Sequence, residues 1–159
     1  MIEKFEVLCQ VKRVKEDRLF RDLQAKRKAL SEAEEEVVRQ QAIVDESKRT
    51  LPERENALYD EIIKQVVDID RIDGTKDKVL GLQKDHEALE DGLNRAVQVK
   101  IKFEDQLKKI RHAYQLAQRN REKFENLKTD LEIAHFLQAE RKEEEEIEEL
   151  FAKAQSISP

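Results

Sequence analysis

Few residues in this chain have side chains typical of catalysis or metal binding. Cys9 is the single cysteine, so the sequence contains neither a disulfide framework nor a Cys-x-x-Cys metal pair. His86, His112 and His135 are too far apart to share one helical face at ligand spacing, and no His-Glu-x-x-His motif occurs. We therefore predict no metal site, and we expect Cys9 to be a small buried side chain in a reducing compartment.

The 36 Asp and Glu residues supply many carboxylates. A catalytic pair of carboxylates, however, needs a concave pocket that shifts their pKa values, and long helices offer no such concavity. The sequence also lacks a glycine-rich loop of the kind that binds phosphates. We therefore predict that the protein is not an enzyme and binds no cofactor.

The composition indicates long helices in place of a globular core. Charged residues make up 42% of the chain and aromatic residues 5%, and only 3 glycines and 2 prolines occur among 159 residues. The net charge of −5 and the lack of a basic region joined to a zipper argue against nucleic-acid binding. The sequence has neither an apolar run long enough to insert into a membrane nor a signal-peptide profile at its start.

The apolar residues repeat every seven positions in two series. Such a spacing keeps one narrow seam of a helix facing a partner helix, as in a coiled coil. The first series is Leu23, Leu30, Val37, Val44, Leu51 and Leu58, and the second is Leu82, Leu89, Ala96, Phe103, Ile110, Ala117, Phe124 and Leu131.

Between the two series lies an Asp-Gly dipeptide, Asp73-Gly74. Pairs such as Leu23 with Phe124 have residue numbers that sum to 147, which places a mirror point at this dipeptide. Gly74 is able to adopt the positive φ that ends a helix, and Thr75 is able to cap the next one. The sequence therefore predicts an all-α fold, a long antiparallel two-helix coiled-coil hairpin with its turn near Asp73-Gly74.

The predicted hairpin is a single rod-shaped domain over residues 1–159. Helix 1 covers about residues 2–70, the turn about 71–75 and helix 2 about 76–152, followed by a loose C-terminal tail, 153–159. Pro52 interrupts the first helix because proline removes a backbone hydrogen bond. Thr50-Leu51-Pro52-Glu53 also reads as a capping box that would restart the helix. The heptad spacing continues in phase across Pro52, however, so we expect a kink there and not a loop.

Charge is unevenly distributed between the two ends of the chain. Residues 2–28 contain nine basic and five acidic residues, whereas residues 139–150 contain two basic and seven acidic residues. A turn at residue 73 would place these segments side by side, with opposite charges that favour the antiparallel register. The alternative interpretation of the acidic run is a solvated helix face or a frayed tail. A basic cluster over residues 100–128 is either a solvated surface or a docking face for an acidic partner.

The beginning and the end of the chain resemble one known family. The opening FEVLCQVKRVKEDR, the Lys123-Phe124 step and the closing RNREKFENLKTDLEIAHFLQAERKEEEEIEEL are similar to the central stalk proteins of bacterial type III secretion, the YscO family, and to their flagellar counterpart FliJ. The resemblance spans nearly the whole chain. Pro52 is a departure from the family pattern.

This resemblance implies a function and a set of partners. It implies a non-enzymatic stalk that is similar to the central shaft of a rotary ATPase. The stalk would bind the hexameric secretion ATPase and link it to the export gate protein and to type III chaperones. The family resemblance also implies a cytoplasmic location, peripheral to the secretion apparatus at the inner membrane, and a monomeric hairpin in isolation.

Two groups of residues are candidates for binding these partners. Apolar residues crowd the region of the expected turn, and one narrow seam is too small to bury them all. We expect Ile69, Ile72 and Val79 to form a partner-docking tip, with local packing around the turn as the alternative interpretation. A second hypothesis is that the basic residues Arg111, Arg119 and Arg121 help to dock the ATPase.

Two other classes of protein remain open at this stage. The first is a self-associating structural coiled coil, such as a filament or tether. Polar residues at seam positions, among them Lys26, Gln40, Ser47 and Arg54, disfavour a simple continuous dimer but permit a dimer of hairpins. The second is a prefoldin-like holdase, which normally needs strand-like assembly segments that are not visible in the sequence.

Overall fold

A computed structural model describes residues 1–157 of the chain. It contains two long helices, α1 (Ile2–Ile63) and α2 (Ile69–Ile157), and its described part has no strand. The chain is thus an all-α two-helix hairpin, as predicted. Two compact units make up the fold. The terminal unit comprises residues 1–23 and the described residues from 110 onward, and the turn unit comprises residues 24–109.

The buried side chains lie in the two predicted heptad series, or in the heptad row three residues away from each series. In the terminal unit Cys9, Leu23 and Ala117 are buried, and in the turn unit Val44, Val79 and Leu107 are buried. The remaining members of each series are mostly half-buried, and residues one position away are mostly exposed. Burial of apolar area along this narrow seam is the main source of stability, because large apolar side chains elsewhere on the two helices are mostly exposed.

Polar residues at seam positions are satisfied by partners. In the turn unit, His86 Nδ1 lies 2.9 Å from Ser47 Oγ, and Arg54 Nη2 donates to the same hydroxyl over 3.4 Å. His86 Nε2 lies 3.4 Å from a carboxylate oxygen of Glu90. The ammonium of Lys26 lies 5.3 Å from the centre of the Phe103 ring, a cation–π contact. These contacts offset the cost of placing polar groups on the seam.

The turn lies at residues 64–68, and the prediction of a turn at Asp73-Gly74 is wrong. Helix α1 ends at Ile63, before the β-branched pair Val66-Val67, which favours helix less than the residues around it. Asp68 occupies the N-cap position of α2, because its carbonyl oxygen accepts hydrogen bonds from the backbone N–H groups of Arg71 and Ile72. Helix 1 is therefore shorter, and helix 2 begins earlier, than the sequence predicted.

Gly74 and Thr75 both lie inside α2. No glycine among the described residues has a positive φ, so Gly74 does not end a helix. Thr75 is buried, and its hydroxyl donates to the carbonyl oxygen of Arg71 over 3.1 Å, a contact typical of a threonine within a helix and not of a cap. The sequence signal for the true start of α2 was Asp68, because an acidic residue directly before a helix is typical of an N-cap.

The observed register differs from the predicted one by two heptads. Ser47 contacts His86, and their numbers sum to 133 in place of 147. A heptad seam looks the same after a shift of seven residues, so the two apolar series permit both registers, and only the turn decides between them. The basic N-terminal residues and the acidic run 139–150 are consequently not paired as predicted.

Two further boundaries bear on the sequence predictions. Helix α1 runs through Pro52 without a break, and the Thr50 hydroxyl donates to the carbonyl oxygen of Glu46, so Thr50 is not a cap. The kink at Pro52 stays a prediction. Helix α2 continues to Ile157, which corrects the loose tail predicted from residue 153. The last two residues of that tail lie outside the described residues.

A cross-linking experiment tests the register. In the turn unit, Gln83 Nε2 donates to a carboxylate oxygen of Glu55 over 3.0 Å. With Cys9→Ala as the background, we expect Glu55→Cys with Gln83→Cys to be linked within one chain by a short bis-maleimide, as measured by intact mass at low protein concentration.

The control pair tests the register that the sequence predicted. Glu55→Cys with Val97→Cys moves the second thiol two heptads along α2, which at 1.5 Å per residue is about 21 Å away. We expect no intramolecular link for this pair. A link in the control pair and none in the first pair would show that the turn lies at Asp73-Gly74.

Candidate partner interface

Large apolar side chains surround the turn and remain exposed. We call Ile63, Val66, Ile69 and Ile72 the turn surface. Val66 is fully exposed, Ile69 is 76% exposed and Ile72 is 38% exposed, although all three belong to types that are usually buried. A cluster of this kind is typical of a surface that binds another protein.

Polar residues border the turn surface in the turn and at the start of α2. Arg71 Nη1 donates to the side-chain oxygen of Gln65 over 3.1 Å, which connects the start of α2 to the turn. Lys76 Nζ lies 3.3 Å from a carboxylate oxygen of Asp73 on the exposed side of α2. An apolar centre with a polar rim is the usual composition of a protein–protein interface.

Val79 is not part of the turn surface. It is only 6% exposed and lies on the seam of the turn unit, one turn of helix after Thr75. The prediction that Val79 belongs to a docking tip is therefore corrected. Ile69 and Ile72 are exposed, as are Ile63 and Val66, which precede them in the chain. Ile63 was missed because helix 1 was expected to continue past it.

The three predicted arginines differ in their surroundings in the terminal unit. Arg111 and Arg119 are exposed, whereas Arg121 lies on the seam and is half-buried. The Arg121 guanidinium donates to a carboxylate oxygen of Glu16 and, over 2.7 Å, to one of Glu125. Arg121 therefore joins α1 to α2, and the structure leaves Arg111 and Arg119 as the available basic side chains of the three.

The contacts of Arg121 shift the pKa values of neighbouring groups. Arg13 Nε donates to Glu125 over 2.8 Å, and this hydrogen bond, together with the charge of Arg121, lowers the pKa of the Glu125 carboxyl. The hydrogen bond from Arg121 to Glu16 raises the pKa of the Arg121 guanidinium. Both groups are therefore charged at neutral pH, and the contacts hold the two helices of the terminal unit together.

The residues that suggested chemistry are placed apart from one another. Cys9 is buried in the terminal unit, His86 lies on the seam of the turn unit, and His112 and His135 are exposed. Over residues 1–157, no three His, Cys, Asp or Glu side chains are grouped so as to hold a metal ion. Neither helix, as far as the structure describes it, is apolar enough along its length to cross a membrane.

The fold defines the class of the protein as an all-α two-helix hairpin. The family model of the type III secretion protein YscO matches residues 5–153 of the chain, which include the turn and nearly all of both helices. The chain therefore belongs to the YscO family of type III secretion proteins. Comparisons with curated proteins and with solved structures gave no match.

Proposed function

We propose that this YscO-family protein is a non-enzymatic central stalk of a bacterial type III secretion apparatus. In this proposal it binds the hexameric secretion ATPase and links it to the export gate protein and to substrate chaperones. It acts in the cytoplasm, peripheral to the apparatus at the inner membrane. Its contribution is to transmit force or to position partners, and it carries out no chemistry of its own.

One structural observation supports this proposal in addition to the family match. In the turn surface, four large apolar side chains are exposed in or beside the segment that joins α1 to α2. Solvation of this cluster is unfavourable, so its retention is explained by a partner that covers it. We assign the turn surface to the export gate protein.

The exposed arginines support a separate contact with the ATPase. Arg111 and Arg119 are free of the intramolecular pairs that engage Arg121, and guanidinium groups bind carboxylates with a planar pair of hydrogen bonds. We assign Arg111 and Arg119 to an acidic surface of the secretion ATPase. Arg121 contributes indirectly, because it holds the helix that carries them against α1.

Substitution of the turn surface tests the proposal. We expect Ile69→Asp with Ile72→Asp to weaken capture of the gate protein of the same secretion system by about tenfold or more, the typical loss when central apolar contacts of an interface are removed. Far-ultraviolet circular dichroism should stay unchanged, because neither side chain is buried.

The control places the same two charges on another exposed apolar pair, Val38→Asp with Ile43→Asp. We expect this variant to capture the gate protein normally. For the ATPase contact, Arg111→Glu with Arg119→Glu is compared with Arg18→Glu with Arg21→Glu, two exposed arginines of α1. Capture that persists in both test variants would contradict the assignments. Sedimentation equilibrium showing a stable dimer would favour the self-associating structural protein.

A further inference from the structure

The end of α2 has no partner helix within the chain. In the terminal unit, the ion pair between the helices that lies farthest along α2 joins Lys128 Nζ to a carboxylate oxygen of Glu6 over 3.4 Å. Leu131 is half-buried, and every residue from 132 to 156 is exposed. We call residues 132–156 the overhang. Because isolated helices depend on packing for most of their stability, an unpaired helix of this length needs an explanation.

The overhang carries two apolar triplets that repeat after 14 residues. Each triplet has the spacing i, i+3 and i+4, which places its three side chains on one face of a helix. A 14-residue repeat is two heptads, so both triplets occupy the same three heptad positions. All six side chains are exposed: Ile133, Phe136 and Leu137 form the first triplet, and Ile147, Leu150 and Phe151 form the second.

The heptad between the two triplets is acidic at the same three positions. Glu140, Glu143 and Glu144 occupy the positions that hold apolar residues seven places earlier and seven places later. All three are exposed. One face of the overhang is therefore apolar in its first heptad, acidic in its second and apolar in its third. We call it the overhang face.

The overhang face is distinct from the seam that joins α1 to α2. The seam series that includes Phe124 and Leu131 continues at Gln138 and Glu145, which are polar and lie on the other side of the helix. A longer α1 in the same register would cover Gln138 and Glu145 and leave the overhang face open. The face is therefore suited to a helix that comes from another molecule.

A second copy of this chain does not match the overhang face. Two overhang faces paired antiparallel about their centre would oppose the acidic heptads, with Glu140 against Glu144, and like charges in close contact are unfavourable. In a parallel pair of overhang faces, Glu140, Glu143 and Glu144 of one copy would face the same three residues of the other copy. A shift of one heptad removes this repulsion only by placing carboxylates over the apolar triplets, which desolvates them without a partner.

We propose that the overhang face binds a basic amphipathic helix of a partner protein. The partner helix has two apolar clusters that pack on the triplets, and Lys or Arg residues between them that pair with Glu140, Glu143 and Glu144. The apolar triplets contribute affinity by burying area, and the central charges fix the register and exclude acidic or neutral helices. This binding uses residues that lie outside the turn surface and does not depend on the function proposed above.

A designed peptide serves as the probe for this proposal. The labelled three-heptad peptide has Leu at the outer positions, Lys at the three central positions and Ala and Gln elsewhere, and a second peptide has Glu in place of Lys. Fluorescence anisotropy with the full chain measures both. We expect the Lys peptide to bind at least about tenfold more tightly than the Glu peptide.

Two variants and a matched control locate the binding. Glu140→Gln/Glu143→Gln/Glu144→Gln and Phe136→Ser/Phe151→Ser should each weaken binding of the Lys peptide by about tenfold or more. Glu145→Gln/Glu146→Gln/Glu149→Gln makes the same change of charge on the opposite side of the helix and should bind within about threefold of the unmodified chain. Equal losses in the two glutamine variants, unchanged binding by the Ser variant, or self-association through the overhang would overturn the proposal.

Discussion

Replacement of Leu23 by Ala is expected to lower the free energy of unfolding by about 2–5 kcal/mol, the usual range for a buried leucine. Leu23 is only 3% exposed, the smallest value among the buried apolar side chains. It lies in the seam series of α1, at the edge of the terminal unit. Because the seam is narrow, few neighbours are available to fill the cavity that the substitution leaves. Urea unfolding followed by circular dichroism measures the change.

Leu116→Ala is the matched control for this prediction. Leu116 belongs to the same unit and is 52% exposed, so its truncation removes little buried area. We expect its effect to remain within about 0.5 kcal/mol, as for most surface substitutions. Equal effects of the two substitutions would contradict a fold held together by the heptad seam.

Replacement of Pro52 by Ala is expected to raise the free energy of unfolding, by up to about 3 kcal/mol. Pro52 is exposed and lies inside α1, so the substitution loses no packing. Alanine supplies the backbone N–H that proline lacks and removes the clash of the ring with the preceding turn of helix. The same urea experiment measures the gain.

Glu53→Ala is the control that shows whether the rise in the free energy of unfolding comes from the removal of proline. Glu53 is the next residue, is exposed and lies in the same helix, and its substitution should change stability by no more than about 0.5 kcal/mol. An unchanged stability of Pro52→Ala would mean that a local bend already relieves the cost of proline, which is the kink that the sequence predicts.

The heptad spacing was sufficient to predict the helices and their buried sides. Leu23, Val44 and Ala117, all members of the two apolar series, are buried. The same regularity is the reason that the turn was misplaced. Each series is unchanged by a shift of one heptad, so the prediction rested on the local preference of Gly74 for a turn. The N-cap at Asp68 and the neighbouring valines outweighed that preference.

The error in the turn explains the mixed outcome for the candidate site. Ile69 and Ile72 are exposed because they follow the true turn directly, whereas Val79 is far enough along α2 to reach the seam. Burial of Arg121 was not evident from its charge, because a lone arginine in a basic cluster resembles a surface residue. Arg121 lies three residues before Phe124 of the second series and fourteen residues after the buried Leu107, and this heptad spacing was the sequence signal of its place on the seam.

The contact between Ser47 and His86 has a consequence for the folding pathway. A chain with a repeating seam can close into hairpins that are displaced by one heptad, and such hairpins act as kinetic traps. Displacement in the two directions would place the Ser47 hydroxyl against Leu93 or against Val79, and leave it buried without the His86 partner it has in the native register. Loss of this hydrogen bond destabilises each trapped hairpin by about 0.5–1.5 kcal/mol, because Arg54 still donates to the hydroxyl. Misaligned chains therefore reopen faster than native ones. The contact between Ser47 and His86 thus favours the native alignment of the two helices.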